Sequence, residues 1–223
     1  LSQWMAESAR RSTLLKGYPV VNLPNPINTQ LFSCLDKKLA RKILNLPENK
    51  KLILFGAMGA SSDPRKGFVE LSNALERLES NNVELIVFGA SRPANKDKFS
   101  QTVHYLGRLH DDVTLRLLYC AADVMVVPSL QENLSNAIME SLSCGTPVVS
   151  FDIGGNSDLI DHKVSGYLAE ELSDKSLAEG INWVLSHENP ELLSINARVK
   201  VVETFDNQIV AKRYIELYEK IIK

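Results

Sequence analysis

The sequence is short of cysteine: three among 223 residues, at Cys34, Cys120 and Cys144. An odd number, widely spaced and set in apolar surroundings, excludes a disulfide framework and predicts reduced, buried thiols of a cytosolic chain. Long apolar runs are missing as well. The longest cluster, Leu85-Ile86-Val87-Phe88 with Gly89-Ala90 behind it, falls far short of the ~18 residues that a membrane-spanning helix needs. Neither sign of charge dominates: Lys plus Arg is 25, Asp plus Glu is 27, and the net charge is −2. That balance excludes a nucleic-acid footprint or a polybasic membrane anchor as the organising feature. The four histidines, His104, His110, His162 and His187, lack metal-ligand spacing, so no metal is expected. There is no 20–50-residue repeat, no low-complexity tract and no basic-then-apolar leader pattern. The first residues read as the interior of something longer.

What is present is ordinary globular material, 44% apolar and 23% charged, enough for a substantial core. Residues 3–16 have a helical pattern that Gly17-Tyr18-Pro19 ends, with Trp4 expected to pack inward. Pro24-Asn25-Pro26-Ile27-Asn28 reads as a fixed turn or linker, and a polar helix is expected near 37–44. From residue 51 strands and helices alternate strictly. Strands are expected at Leu52–Phe55, Glu84–Phe88, Val103–Leu106, Val124–Val127, Pro147–Phe151 and Gly166–Leu168. Helices are expected at Gly67–Leu78, Asp111–Cys120 and Asn136–Ser143, with three more near 174–187, 190–203 and 207–222. Several strands are continuously apolar, as strands covered on both faces are. The pattern predicts an α/β fold, a doubly wound parallel sheet of Rossmann-like type.

In such a sheet, ligands bind beyond the carboxyl ends of the strands near the switch point. The turn after the first strand, Gly56-Ala57-Met58-Gly59-Ala60-Ser61-Ser62-Asp63-Pro64-Arg65-Lys66-Gly67, combines small residues with a basic pair ahead of a helix. Gly59 lets a ligand approach the backbone, and Arg65 and Lys66 favour an anion. It is neither a P-loop nor a dinucleotide fingerprint. The turn after the fourth strand carries Glu132 on the loop and Glu140 one turn into the next helix. A Glu flanked by Ala137, Ile138, Leu142 and Cys144 risks burial and needs a partner, which a polyhydroxylated ligand would supply. Two carboxylates at the ends of one loop also fit a hydrolytic acid/base pair. The basic turn on the same rim favours an anionic ligand instead.

These residues carry a family resemblance. Pro128-Ser129-x-x-Glu132, Glu140-Ser141-Leu142-x-Cys144-Gly145-Thr146-Pro147-Val148-Val149 and Gly154-Gly155 resemble the nucleotide-sugar half of GT-B glycosyltransferases, closest to the large retaining group called family 4. Gly107-Arg108-Leu109, Ala121-Ala122-Asp123-Val124 and the linker Asn25-Pro26-Ile27-Asn28 fall in the same order. The resemblance runs from about Ser2 to the C-terminus. It implies three parts: residues 1–30 as the tail of an acceptor domain plus linker, 31–206 as the donor domain, and 207–223 as a helix packing back toward that acceptor domain.

The resemblance also implies roles. Glu140 would hold the ribose hydroxyls and Glu132 the hydroxyls of the donor sugar. The N–H groups of Asn133, Leu134 and Ser135 would face the sugar and distal phosphate, and Lys66 would neutralise the diphosphate. Arg108 and Leu109 would wall the base. No cofactor or metal is implied; the nucleotide-diphospho-sugar is itself a substrate. The expected reaction is metal-independent, retaining transfer to a cell-surface polysaccharide, lipopolysaccharide or glycolipid precursor. The expected location is cytoplasmic, with peripheral membrane association through the missing half. Two departures stand out. The family's Arg after the first-strand Gly is replaced by Ala57 or Ala60, leaving Arg65 as a substitute cation. Asn133 and Ser135 replace two glycines. A sugar-nucleotide epimerase of the same architecture and a non-catalytic flavodoxin-like module are the rival readings. A receiver, an example of the latter, needs an acidic cluster at its first strand end, and Gly56-Ala57-Met58-Gly59 supplies none.

Overall fold

A computed structural model describes residues 1–56, 63–78, 80, 82–89 and 99–222. Six strands among these form one parallel sheet: β1 (Lys51–Gly56), β2 (Val83–Phe88), β3 (Val103–Tyr105), β4 (Val124–Val127), β5 (Val148–Phe151) and β6 (Gly166–Ala169). Their order is β3-β2-β1-β4-β5-β6, and every pairing is parallel. The order reverses between β1 and β4, which is where a doubly wound sheet opens its ligand crevice.

Helices cover both faces. Alternate residues of each strand point to opposite sides, so continuous apolar runs feed two cores. Leu52, Leu54, Ile86, Phe88, Met125 and Val127 pack against one helical layer. That layer is α2 (Lys37–Ile43), α4 (Asp112–Ala121), α5 (Asn136–Ser143) and α8 (Pro190–Phe205). Ile53, Phe55, Leu85, Val87, Val124 and Val126 pack against α3 (Phe68–Glu76) and α7 (Asp174–Leu185). The chain opens with α1 (Gln3–Arg11), carries the one-turn α6 (Asn156–Leu159) after β5, and ends in α9 (Asn207–Ile222).

Several expectations need correction. α1 stops at Arg11, five residues earlier than the periodicity suggested. Leu14 and Tyr18 are exposed, and the described residues do not cover the apolar positions beyond Arg11. Trp4 is 47% exposed instead of sitting in the core, whereas Trp183 is partly buried against Tyr167 and His187. Cys120 and Cys144 are buried as expected, but Cys34 is exposed. The short α6 was not anticipated, because four residues leave no periodicity to read.

The linker is stitched to the start of α9. Ile27 donates its N–H to the Phe205 carbonyl (2.9 Å) and accepts from the Asn207 N–H (3.1 Å), while Thr29 donates its hydroxyl to Asp206. Asp123 works at the opposite end of the sheet from the crevice. It accepts from Arg41 (2.7 Å), Lys37 (2.9 Å) and the Leu52 N–H (2.7 Å), tying α2 to β1 and β4.

Candidate active site at the switch point

Three turns meet at the carboxyl ends of β1, β4 and β5, and glycine makes their approach possible. Gly67 has φ +70°, and a Cβ there would fall 1.8 Å from the Pro128 carbonyl oxygen. The Leu130 N–H donates to the Arg65 carbonyl at 2.8 Å, so the basic turn and the Glu132 loop form one surface. Gly154 has φ +53°, and its absent Cβ would fall 1.8 Å from the Glu132 carbonyl oxygen. Below that turn, buried Asn156 donates to Ser150 Oγ (2.6 Å) and the Phe151 carbonyl (3.0 Å).

Lys66 and Glu132 face each other across this junction, Nζ to Oε2 at 3.8 Å, both partly shielded from solvent. Two grooves meet at the pair. One, of about 380 Å³, runs past Gly56, Phe88 and Ser135 to Leu115, Tyr119 and Glu140. The other, of about 890 Å³, runs past Arg65, Gln131 and Asp152 to Trp4, Met5 and Glu171.

Glu140 lies at the inner end of the smaller groove. Its Oε2 accepts the Tyr119 hydroxyl proton at 2.7 Å. Burial pushes the Glu140 carboxyl above the ordinary range, the Tyr119 bond pulls it back, and Asp112 pushes it up again. Burial, and then the adjacent Glu140, drive the Tyr119 phenol well above its usual value, so Tyr119 stays a neutral donor. α5 begins beside them, capped by Ser135, whose Oγ accepts the Ile138 N–H. The first N–H groups of a helix lack intrahelical partners and favour negative charge. Asn136 and Ala137, the first residues of α5, line the smaller groove with Lys66 and Glu140.

The structure brings Lys66, Glu132, Leu134, Ser135 and Glu140 into the smaller groove. Asn133 lines the larger one. Its N–H donates to the Glu132 carboxylate (3.3 Å), and its side chain is engaged by Ser2, so neither group is idle. Arg65 lines the larger groove. Its guanidinium is held by Asp63 (Nη2–Oδ2 2.8 Å, Nε–Oδ1 3.1 Å) on the side of the larger groove. Arg108 is exposed, and Leu109 packs against the core; neither lines a groove described here. Phe88 and Leu115 line the smaller groove with Glu140. Gly59, Ala57 and Ala60 lie outside the described residues. Tyr119 went unread because a tyrosine on an apolar helix face looks like core, and its partner is 21 positions away. No group of three His, Cys, Asp or Glu among the described residues is placed to hold a metal, and no described helix is long and apolar enough to cross a membrane.

A six-stranded, all-parallel sheet flanked by helices is the Rossmann-like α/β class seen in GT-B glycosyltransferase structures. The family "Glycosyl transferases group 1" matches residues 49–187, and the chain belongs to that family. An uncharacterized glycosyltransferase from Methanocaldococcus jannaschii is 30% identical over 189 residues, covering 80% of this chain and 47% of that protein. The sucrose-phosphate synthase structure from Thermosynechococcus elongatus superposes with TM-score 0.85 at 26% identity, covering 99% of this chain and 57% of the other. The Anabaena protein HepE, solved with UDP-glucose, shares the fold at TM-score 0.73 and 23% identity, covering 89% and 57%. The chain spans about half the length of the curated relatives it matches.

Proposed function

We propose that this chain is the donor-binding part of a glycosyltransferase and holds a nucleoside diphosphate sugar in the smaller groove. The observation that carries the reading is the spacing of charges along that groove: Glu140 fixed by Tyr119 at one end, Lys66 and Glu132 paired at the other, and the start of α5 between them. A nucleotide sugar has the matching order of ribose hydroxyls, diphosphate and pyranose. Glu140 accepts from the ribose hydroxyls. Its alignment by Tyr119 means that little reorganisation is needed on binding. Lys66 and the α5 N–H groups meet the diphosphate, and Glu132 meets sugar hydroxyls. As the glycosidic bond breaks, charge grows on the leaving diphosphate, and a fixed ammonium with helix-end dipoles stabilises it. The complex of the Anabaena relative with UDP-glucose supports this ligand class. Metal independence, retention of configuration and a cell-surface polysaccharide, lipopolysaccharide or glycolipid acceptor belong to the same proposal. So do a preceding acceptor domain and its peripheral contact with the membrane.

Calorimetric titration with UDP, GDP and ADP, each with and without a hexose, tests it. Glu140→Ala is expected to weaken every nucleotide that binds by about 1.5–3 kcal/mol, the value of a hydrogen bond to a charged group. Glu132→Gln is expected to leave the bare diphosphate unchanged and to lower the preference for the sugar-bearing form. An unaltered dissociation constant in Glu140→Ala removes Glu140 from the site. Equal losses for both ligands in Glu132→Gln place that carboxylate on the nucleotide.

A further inference from the structure

Away from the crevice, at the amino ends of the strands, all three cysteines line one cavity of about 660 Å³. Cys120 stands in the last turn of α4, and Cys144 caps the end of α5. Both are buried, at 3% and 4% exposure. Around them Cys34, Lys37, Lys51 and Glu191 are exposed, so solvent reaches the cavity. The Cys144 thiol donates a hydrogen bond to the Cys120 sulfur. Cys120 Sγ in turn lies 3.6 Å from the Ser33 carbonyl oxygen and 3.9 Å from that of Cys144. Cys34 Sγ packs on the backbone at Gly145, 2.8 Å from where a Cβ would stand.

Three thiols in one place suggest a metal, but no group of three His, Cys, Asp or Glu among the described residues is placed to hold one. The chemistry that remains to the touching pair is oxidation. The reactive form of a thiol is its thiolate, which positive charge and hydrogen-bond donors favour. The bond from Cys144 holds the Cys120 thiol below its ordinary range against the pull of burial, helped by the Leu35 N–H, Arg116 and Lys37. Lys37 is shared with Asp123 at 2.9 Å. Cys144 is pushed up by its bond to Cys120 and by burial, and Cys34 by burial. Cys120 is therefore the nucleophile, and Cys144 is the thiol already in contact with it.

The pair is joined to the donor groove through two helices. Tyr119 precedes Cys120 on α4. Glu140 lies one turn before Cys144 on α5, and its carbonyl accepts the Cys144 N–H at 3.1 Å. Thr146 ties the two helix ends by donating its hydroxyl to the Tyr119 carbonyl at 2.7 Å. The Tyr119–Glu140 bond and the thiol pair are successive links between the same helices.

We infer that Cys120 and Cys144 form a thiol pair that a hydroperoxide oxidises, and that their disulfide displaces Tyr119 and Glu140. The Cys120 sulfur attacks one peroxide oxygen and the O–O bond breaks. The other oxygen leaves as hydroxide and takes the thiol's proton to become water. Cys144 then attacks the sulfenic acid: the S–O bond breaks, the S–S bond forms, and a second water leaves with the Cys144 proton. The two thiols lose two electrons and the peroxide gains them. The sulfurs must close to about 2.05 Å, inside any hydrogen-bonded separation, so the ends of α4 and α5 are drawn together. The consequence for nucleotide rests on the donor-binding reading; the disulfide does not.

The reduced 223-residue chain is treated with hydrogen peroxide, alkylated and mapped by mass spectrometry. The folded chain is expected to lose two hydrogens, to yield Cys120 joined to Cys144, and to leave Cys34 open to alkylation. Cys34→Ser is expected to form the same link, and Cys120→Ser to form none. Should Cys120→Ser fold poorly, Cys144→Ala keeps the test, since peroxide is then expected to leave a sulfenic acid on Cys120 that dimedone captures. By calorimetry the oxidised chain is expected to bind UDP severalfold more weakly, because an aligned carboxylate is lost, and dithiothreitol to restore the affinity. A disulfide that includes Cys34, dimedone on Cys34 alone, or thiols that stay reduced in peroxide overturns the pair. Equal UDP affinity in the two redox forms overturns its link to Glu140. A reduced chain that binds none of UDP, GDP and ADP removes the donor reading, while the mapped disulfide still decides the thiol pair.

Discussion

Glu140 is a carboxylate where a carboxylate is costly. Burial raises its proton affinity, so the folded state holds a proton more tightly there than the unfolded chain does. A raised carboxyl contributes stability below the unfolded value, and that contribution is lost as pH rises through the folded value. At neutral pH the free domain therefore carries a penalty that a ribose would relieve. Glu140→Gln keeps the shape and the Tyr119 bond while removing the charge. It is expected to raise the Tm at pH 7, within the roughly 0.5–2 kcal/mol typical of single stabilising changes, while weakening nucleotide binding. The gain is expected to vanish toward pH 4 in a series of thermal melts; an unchanged Tm at pH 7 would show the charge to be fully compensated. Tyr119→Phe has the opposite sense. It leaves a buried carboxylate short of a donor, so both stability and nucleotide affinity are expected to fall, by about 1–3 kcal/mol in stability. Chemical denaturation and calorimetry read the two effects separately.

Between elements, the site depends on turns in contact through glycine. Gly154→Ala adds strain at φ +53° and drives a methyl into the Glu132 carbonyl. The expected loss is about 1–3 kcal/mol or more, about 2–4 °C of Tm per kcal/mol for a domain of this size. Binding of the sugar-bearing nucleotide is expected to fall further than that of the bare diphosphate, because Glu132 moves while Glu140 does not. Equal losses would mean the two grooves shift as one body. Element by element, legibility followed length and periodicity. The six strands and α5 stood out in the sequence because a strict alternation of strand and helix patterns, with several continuous apolar runs, marks them locally. The end of α1 did not, since Leu14 and Leu15 continue a helical pattern although both are exposed among the described residues. The carboxylates and the lysine were singled out by the turns they occupy, and their roles came from the family resemblance. Tyr119 and the groove wall at Phe88 and Leu115 were not, because packing between elements places them. Nor was the bond between Arg65 and Asp63, which leaves no periodicity to read.

Over the whole molecule, the charge balance decides how an anion can be held. A net charge of −2 supplies no long-range attraction for a diphosphate, so affinity must come from groups at the groove itself. Lys66 is the cation among the residues lining the smaller groove, and in the free domain Glu132 shares it at 3.8 Å. On the proposed reading, a diphosphate brings more charge than one carboxylate and competes for that ammonium, leaving Glu132 to turn toward sugar hydroxyls. Lys66→Ala is therefore expected to weaken UDP about tenfold, roughly 1.4 kcal/mol, while leaving uridine unaffected. Raising salt from 0.05 to 0.5 M is expected to weaken UDP only a few-fold, because a partly enclosed pair is screened less than an exposed one. If Lys66 and the start of α5 together carry the diphosphate, a chelator should leave the dissociation constant where it was. Affinity that collapses with chelator and returns with magnesium or manganese would show that Glu132 keeps the lysine and that a metal ion carries the phosphate charge.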